Sequence, residues 1–509
     1  MLPFQNLIEI DREQSTPVFR QITDQMTALI REGSLKPGVF LPGTRQMAQL
    51  LGLNRKTVIK SYDEMLAENW IETILRKGYR VMLELPLIKP RSFHPRTSFA
   101  LEPEQDGHFW LQRQPDDQAQ REVRRSDILI DDGFPDPALS PYREITRLYG
   151  EDGSLLSRRL LGIRPQGGSL ELKEAMSGFL NDSRALNISA REIMITRGGK
   201  MQLYLAASVL IKKGDKVAIC KHTDKRSREI FIHAGAELIE LESDREGIDS
   251  RHLNQVLQIH RIAVLYLNPH CHYPTTALLS ATRRQAILEL MKARDFWIIE
   301  DDMGYDFHHN NSPILPLASS PHNGKLIYIG SFERVIASAR GVGFLVASPQ
   351  IIQRAVSLQG LIDPFGDPYM EQLLTRMILG GTLERYILRA RKMYAHRCSL
   401  LCDLLEGRLS RYVQFERPRA GLAVYLSFRQ GFPMKRFIAE AAKLGVYFST
   451  DEHDQLSFST ENALRLGFAS LSVQEMEKTV EVMLRCAQLL ESGHRKYRLE
   501  TVPISAISA

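Results

Sequence analysis

Residues 328–343, YIGSFERVIASARGVG, place Glu333, Arg334 and Arg340 in a loop of small residues between two apolar runs. An apolar run that stops at such a loop marks a strand end, where α/β proteins build their ligand sites. A guanidinium in that position can fork two hydrogen bonds onto a carboxylate or phosphate. It stays charged with its nitrogens delocalised, so it cannot act as an amine nucleophile. A second set of chemically apt residues lies near the start: Arg55, Lys56, Thr57 and Lys60 in NRKTVIKSYDEML, then Arg76, Lys77 and Arg80 in WIETILRKGYRVM. Clustered cations suit DNA phosphates, and the forked guanidinium suits base edges.

The elements around the second set can be read from periodicity. Phe19, Ile22, Met26, Leu29 and Ile30 recur at helical spacing and predict a helix that Gly33 ends. The segment from Leu41 to Trp70 predicts a helix over Thr44–Leu51, a turn at Gly52 and a second helix capped by Asn54, which is a helix-turn-helix pattern. Val58, Tyr62, Met65 and Leu66 form the buried stripe of the second helix. Arg55, Lys56, Thr57 and Lys60 are then left outward near its N-terminal end, where recognition helices enter a major groove. The run from Trp70 to Met82 predicts a β-hairpin wing with Arg76, Lys77 and Arg80 at its tip. The plainer reading is a solvated basic face on a small helical domain.

The chain of 509 residues is too long for one ordinary core, and 43% hydrophobic with 25% charged residues is a soluble globular composition. A net charge of +6 permits nucleic-acid binding without arguing for it. No apolar run reaches membrane-spanning length and the start carries no secretory pattern, so a cytoplasmic protein is expected. Five cysteines without a CxxC pair predict reduced thiols. Cys398 and Cys402 with His396, and Cys271 between His270 and His272, lack a closed set of metal ligands, so no metal is expected.

Residues 1–82 form the helix-turn-helix and wing region. Residues 83–126, rich in Pro, Arg, Asp and Gln, read as a linker. From 127 to 370, apolar runs such as KVAIC, IAVLYL, FWIIE and KLIYIG alternate with helical stretches, which predicts a mainly parallel sheet covered by helices. Residues 371–493 read as long helices followed by a smaller α+β subdomain, and 494–509 as a loose tail.

The first region resembles the GntR-type winged helix, through SLKPG, LPGTRQMAQLLGLNRKTVIKSYDEML and the following tryptophan. That resemblance implies DNA contacts from Arg45, Arg55, Lys56 and Thr57 and from Tyr79 and Arg80 of the wing. Gly43-Thr44 stands where the family often has two serines. The motifs GFPDPALSP, GIRPQGGSLELKEAM, ITRGGKMQLYLAA, NPHCHYPTT, IIEDDMGYDF, IGSFERVIASARGVGF, GTLERYILRARKMYAHR and ALRLGFA together resemble the aminotransferase-like domain of fold-type I pyridoxal-phosphate proteins. Joined to a GntR-type winged helix, they make the chain look like a MocR-type transcriptional regulator. The resemblance implies double-stranded DNA and a small-molecule effector as partners, a homodimer, and pyridoxal phosphate as cofactor.

By the same resemblance, Arg334 matches the lysine that forms the internal imine, and Glu333 the serine before it. Arginine cannot form that imine. Asp224 stands where an aromatic would stack on the pyridine ring, Met303 where a tyrosine is usual, and Thr276 where a glycine is. Gly341 aligns with a phosphate-side arginine, with Arg340 one residue away. Asp301 matches the carboxylate that holds the pyridine nitrogen, and Arg465 matches an arginine that clamps a carboxylate. Gly198 and Gly199, followed by Lys200, open a helix whose N–H groups can cradle a phosphate. Arg226 offers a second anion contact, while no spacing supports Lys200 or Lys325 as a substitute imine former. The expectation is a regulator with an inactive aminotransferase-like domain that senses a small anionic or amino-acid-like ligand. The alternative is a pyridoxal-phosphate-dependent aminotransferase with an appended DNA-binding domain.

Overall fold

The structure is a computed structural model; it describes residues 3–12, 14, 16–75, 77–85, 127–150, 166–302, 304–309, 314–337, 341–448 and 462–500. The expected linker falls almost wholly outside the described residues, as do Arg76, Met303, Arg340 and the end of the tail. The chain divides into two compact units, Met1–Ala119 and Gln120–Ala509.

In the first unit, helices Val18–Arg31, Thr44–Leu51 and Arg55–Ala67 pack around Ile22, Met26, Ile30, Met47, Val58, Tyr62 and Met65. Gly52 turns the chain between the last two helices with φ +62, a left-handed conformation that glycine adopts without strain. The Asn54 side chain accepts from the Lys56 N–H at 2.9 Å and so caps the second of them. Ser61 is buried in the stripe of that helix, where its hydroxyl lies 3.0 Å from Thr23 Oγ1, and Leu66 is only half-buried. Strands Ile71–Ile74 and Gly78–Val81 form the antiparallel wing, with Glu72 opposite Arg80. The Leu41 N–H donates to the Tyr79 carbonyl at 2.8 Å and the Val81 N–H to that of Val39 at 2.9 Å, so residues 39–41 line the wing's outer edge.

The second unit is built on a seven-stranded sheet. Its order is Ile193–Arg197, Val342–Val346, Leu326–Ser331, Trp297–Asp301, Ile262–Leu267, Lys216–Cys220 and Glu237–Leu241. Val342–Val346 pairs antiparallel with both neighbours, and every other pairing in this sheet is parallel. Alternate residues go to opposite faces: Ile327 and Ile329 pack with Leu203 and Phe231, while Leu326 and Tyr328 pack with Met176 and Leu180. Burial on both faces explains the unbroken apolar runs in these strands.

The smaller portion carries an antiparallel sheet of Val413–Gln414, Ala423–Phe428 and Ala463–Gly467, with helices Thr382–Leu409, Met434–Lys443 and Val473–Glu500. The last helix continues past 493, so the expected loose tail begins as helix. Ile128–Ile130, placed with the large domain by sequence order, pairs in parallel with Val446–Phe448. That pairing carries Asp131 and Asp132, which follow directly, over to the region of Ala463–Gly467: the Gly467 N–H donates to the Asp131 carbonyl at 3.0 Å.

Candidate functional site

In the second unit, the C-terminal ends of the parallel strands converge on a cavity of about 200 Å³. Open α/β sheets place ligands at this end. Its walls include Gly199, Lys200, Asp224, Arg226, Asp301, Glu333 and Arg334. Most residues singled out for ligand binding are thus gathered in one place, although Arg465 lies behind the wall.

Asp301 ends its strand with Oδ2 accepting from the Tyr266 hydroxyl at 2.7 Å. Burial raises its pKa above the usual carboxylate value, against the opposing pull of Lys200 and of the Tyr266 hydrogen bond. Its neighbour Asp302 turns the other way, to Arg184 Nε at 3.0 Å and the Tyr328 hydroxyl. Burial opposes its ionisation, yet Arg184 and then His270 hold its pKa down at about 2. Arg184 also reaches Asp306 at 2.7 Å, so a buried ionic cluster anchors this strand end to helix Leu170–Arg184.

Lys200 does not point freely into the cavity. Its Nζ donates to Ser227 Oγ at 2.7 Å and lies 3.3 Å from Asp224. Asp224 caps helix Lys225–His233, and although burial alone would raise its pKa, Lys200 and Ser227 bring it below the ordinary value.

Arg334 sits in a single 3-10 turn, Phe332–Arg334, directly after strand Leu326–Ser331. Its Nη1 donates to the Gly133 carbonyl at 2.9 Å, its Nη2 lies 3.5 Å from Asp132 Oδ2, and its guanidinium stacks 4.1 Å from the Phe134 ring. Arg465 is buried. Its Nε lies 2.9 Å from Asp132 Oδ1, its Nη1 donates to the Pro274 carbonyl at 2.7 Å, and it lies over the Tyr273 ring. The two arginines expected to meet a ligand therefore share one carboxylate of the chain itself. Asp132, Tyr266 and Arg184 escaped the sequence reading; the Asp131-Asp132 pair just before GFPDP was the available signal for the first.

Helix Gly198–Leu210 begins with φ +70 at Gly198, and Arg197 supplies no side-chain cap. The Gly198 N–H is not free, contrary to expectation: it donates to the Gly341 carbonyl at 2.9 Å. A Cβ placed on Gly199 would meet the Glu333 carboxylate, 2.9 Å from its Cδ, so that side chain lies across the helix start.

In the first unit, Arg45, Arg55, Lys56, Lys60 and Lys77 are exposed, while Thr57, Tyr79 and Arg80 are half-buried. Arg55 Nε reaches Thr44 Oγ1 at 3.4 Å, which joins the N-terminal ends of the two helices of the motif. Lys60 lies 3.9 Å above the Phe19 ring, and Tyr79 packs edge-on against Tyr62. Arg80 is not at the wing tip but within a strand, with Nε donating to Glu72 at 2.9 Å. Among the described residues between the two strands, Leu75 and Lys77 are exposed, and Lys77 brings a cation to the tip.

All five cysteines are buried free thiols. Among the described residues no group of three or more His, Cys, Asp or Glu could hold a metal ion, and no helix is long and apolar enough to cross a membrane.

Comparison with known proteins matches residues 19–81 to the bacterial regulatory proteins of the gntR family and residues 146–483 to aminotransferase class I and II. The chain is 24% identical to the "Probable rhizopine catabolism regulatory protein MocR" of Rhizobium meliloti, over 96% of this chain and 97% of that protein. It is also 24% identical to the "HTH-type pyridoxine biosynthesis transcriptional regulator PdxR" of Corynebacterium glutamicum, over 91% and 94% of the two chains. Among solved structures, Pyrococcus horikoshii kynurenine aminotransferase superposes with a TM-score of 0.66 at 23% identity, covering 71% of this chain and 91% of that one. Helix-turn-helix, mixed seven-stranded sheet and family matches agree: the chain belongs to the aminotransferase class I and II family, in the MocR-type arrangement that adds an N-terminal gntR-family domain.

Proposed function

We propose that the protein is a transcriptional regulator that binds double-stranded DNA through its winged helix. Its aminotransferase-like domain dimerises and senses a small anionic or amino-acid-like ligand without transamination. The observation that carries the DNA half is the exposed Arg45, Arg55 and Lys56 at the N-terminal ends of the two helices, with Arg55 tied to Thr44. The observation that carries the non-catalytic half is Arg334, whose guanidinium is committed to Gly133 and Asp132.

Covalently held pyridoxal phosphate does not fit this residue set. Arg334 offers no localised lone pair, and Lys200, the lysine in the cavity wall, is engaged by Ser227 and Asp224. Asp301 keeps the place of a ring-nitrogen partner, but its Oδ2 is taken by Tyr266.

A shift assay on DNA from upstream of the protein's own gene tests the reading. Arg55→Ala should lose about 1–3 kcal/mol of specific binding. Unchanged affinity in both Arg55→Ala and Lys56→Ala would sink it.

A further inference from the structure

We propose that Glu333 is the anion that covers the helix start in the cavity wall and so determines the ligand class: ligands that carry no phosphate, such as a small amine or amino acid. This inference rests on the ligand-sensing reading above and makes it chemically specific.

The Gly198 N–H donates to Gly341, but no side chain caps helix Gly198–Leu210, whose first turn presents the positive end of its dipole, the place where α/β proteins take up phosphate. Arg197 precedes the helix and cannot cap it, since its side chain has no acceptor for the N–H donors of that turn. Here the chain brings its own anion. The 3-10 turn Phe332–Arg334 carries Glu333 back over the helix start, and its carboxylate lies where a Cβ on Gly199 would be. Only glycine leaves that space. The turn itself is fixed on both sides: the Ser331 hydroxyl accepts from the Glu333 N–H at 3.2 Å, and Arg334 is held by the Gly133 carbonyl at 2.9 Å.

A phosphate directed to the same donors would meet a carboxylate that fills the space and repels its charge. Two of the cations in the wall are already engaged, Arg334 by the Asp132 that it shares with Arg465 and Lys200 by Asp224 and Ser227, and the third, Arg226, stands on a separate helix, Lys225–His233. A ligand without phosphate meets no such conflict, and the roughly 200 Å³ cavity has room for a molecule of amino-acid size.

The test compares pyridoxal 5′-phosphate with pyridoxal, and adds inorganic phosphate as a third probe, by titration calorimetry on the full chain. The wild type should bind the phosphorylated and unphosphorylated forms within threefold of each other. Glu333→Ser should raise the preference for the phosphorylated form at least tenfold and create measurable binding of inorganic phosphate. Glu333→Gln keeps the volume but removes the charge, and should show a smaller gain in the same direction. Thermal melts of each variant confirm that the fold is intact. A tenfold or greater preference for pyridoxal 5′-phosphate in the wild type would overturn the assignment, as would an unchanged ratio in both variants. The same preparations are run in the DNA shift assay. Loss of wild-type DNA binding counts against the regulator reading alone, whereas an unchanged ligand ratio with DNA binding intact counts against Glu333 alone.

Discussion

Asp132, itself half-buried, pairs with the buried Arg465, Nε to Oδ1 at 2.9 Å, and Arg334 approaches the other carboxylate oxygen at 3.5 Å. One carboxylate from the segment after strand Ile128–Ile130 thus engages Arg334 of the cavity wall and the buried Arg465 together. Asp132→Asn should destabilise the second unit by roughly 3 kcal/mol, because it leaves the buried Arg465 guanidinium short of its counter-charge. Urea unfolding of Asp132→Asn, Arg465→Met and the double variant checks this. Additive losses would mean that the pair is not coupled.

Arg334 predicts the outcome of a reduction experiment. Borohydride treatment of the protein with pyridoxal phosphate, followed by peptide mass spectrometry, should find no adduct on a lysine of the cavity wall. A phosphopyridoxyl group on Lys200 would restore the enzymatic reading.

Lys56 predicts a salt effect. As an exposed cation at the start of the recognition helix, it should contribute about one unit to the slope of log affinity against log salt, equally on specific and non-specific DNA. Lys56→Ala measured from 50 to 200 mM salt checks this, and a slope equal to that of the wild type counts against a phosphate contact.

Gly52 predicts a backbone cost. A Cβ there would meet open space, so the penalty of Gly52→Ala comes from the positive φ alone, about 1 kcal/mol. Thermal denaturation of the isolated transition of the first unit reads it, and a neutral substitution would mean that the turn relaxes.

A buried histidine, His272, and a half-buried one, His309, predict acid sensitivity. Burial, then His222 and Arg465, push the pKa of His272 down to about 3, and burial pushes that of His309 down to about 4. Each stabilises the fold fully above the unfolded value of about 6.5, and loses that contribution as pH falls toward the folded value, because the unfolded chain binds the proton first. His272 alone should account for a loss on the order of 3 kcal/mol between pH 6.5 and 4. Denaturant melts across this range check the slope, and His272→Gln should flatten it.

The sequence by itself determined the elements and their order. The Val58, Tyr62 and Met65 stripe, the Asn54 cap and Gly52 specify the helix-turn-helix through local rules that act within a few residues. The apolar runs at 216–220 and 262–267 specify doubly buried strands in the same way, and both appear with those bounds. The short edge strand Glu237–Leu241 went unread, because exposed glutamates at 237 and 240, on opposite faces, break its apolar pattern. The replacement of lysine by Arg334 was equally legible, since it depends only on residue type. What Arg334 does was not. Its partners Asp132 and Gly133 lie some two hundred residues away, brought beside it by the pairing of Ile128–Ile130 with Val446–Phe448. The same holds for Glu333 over Gly199, whereas Arg80 meets Glu72 through the register of the wing hairpin. Charge and shape can be read from a residue, but which group satisfies a charge is a through-space choice, made where strand register and helix docking set the distances.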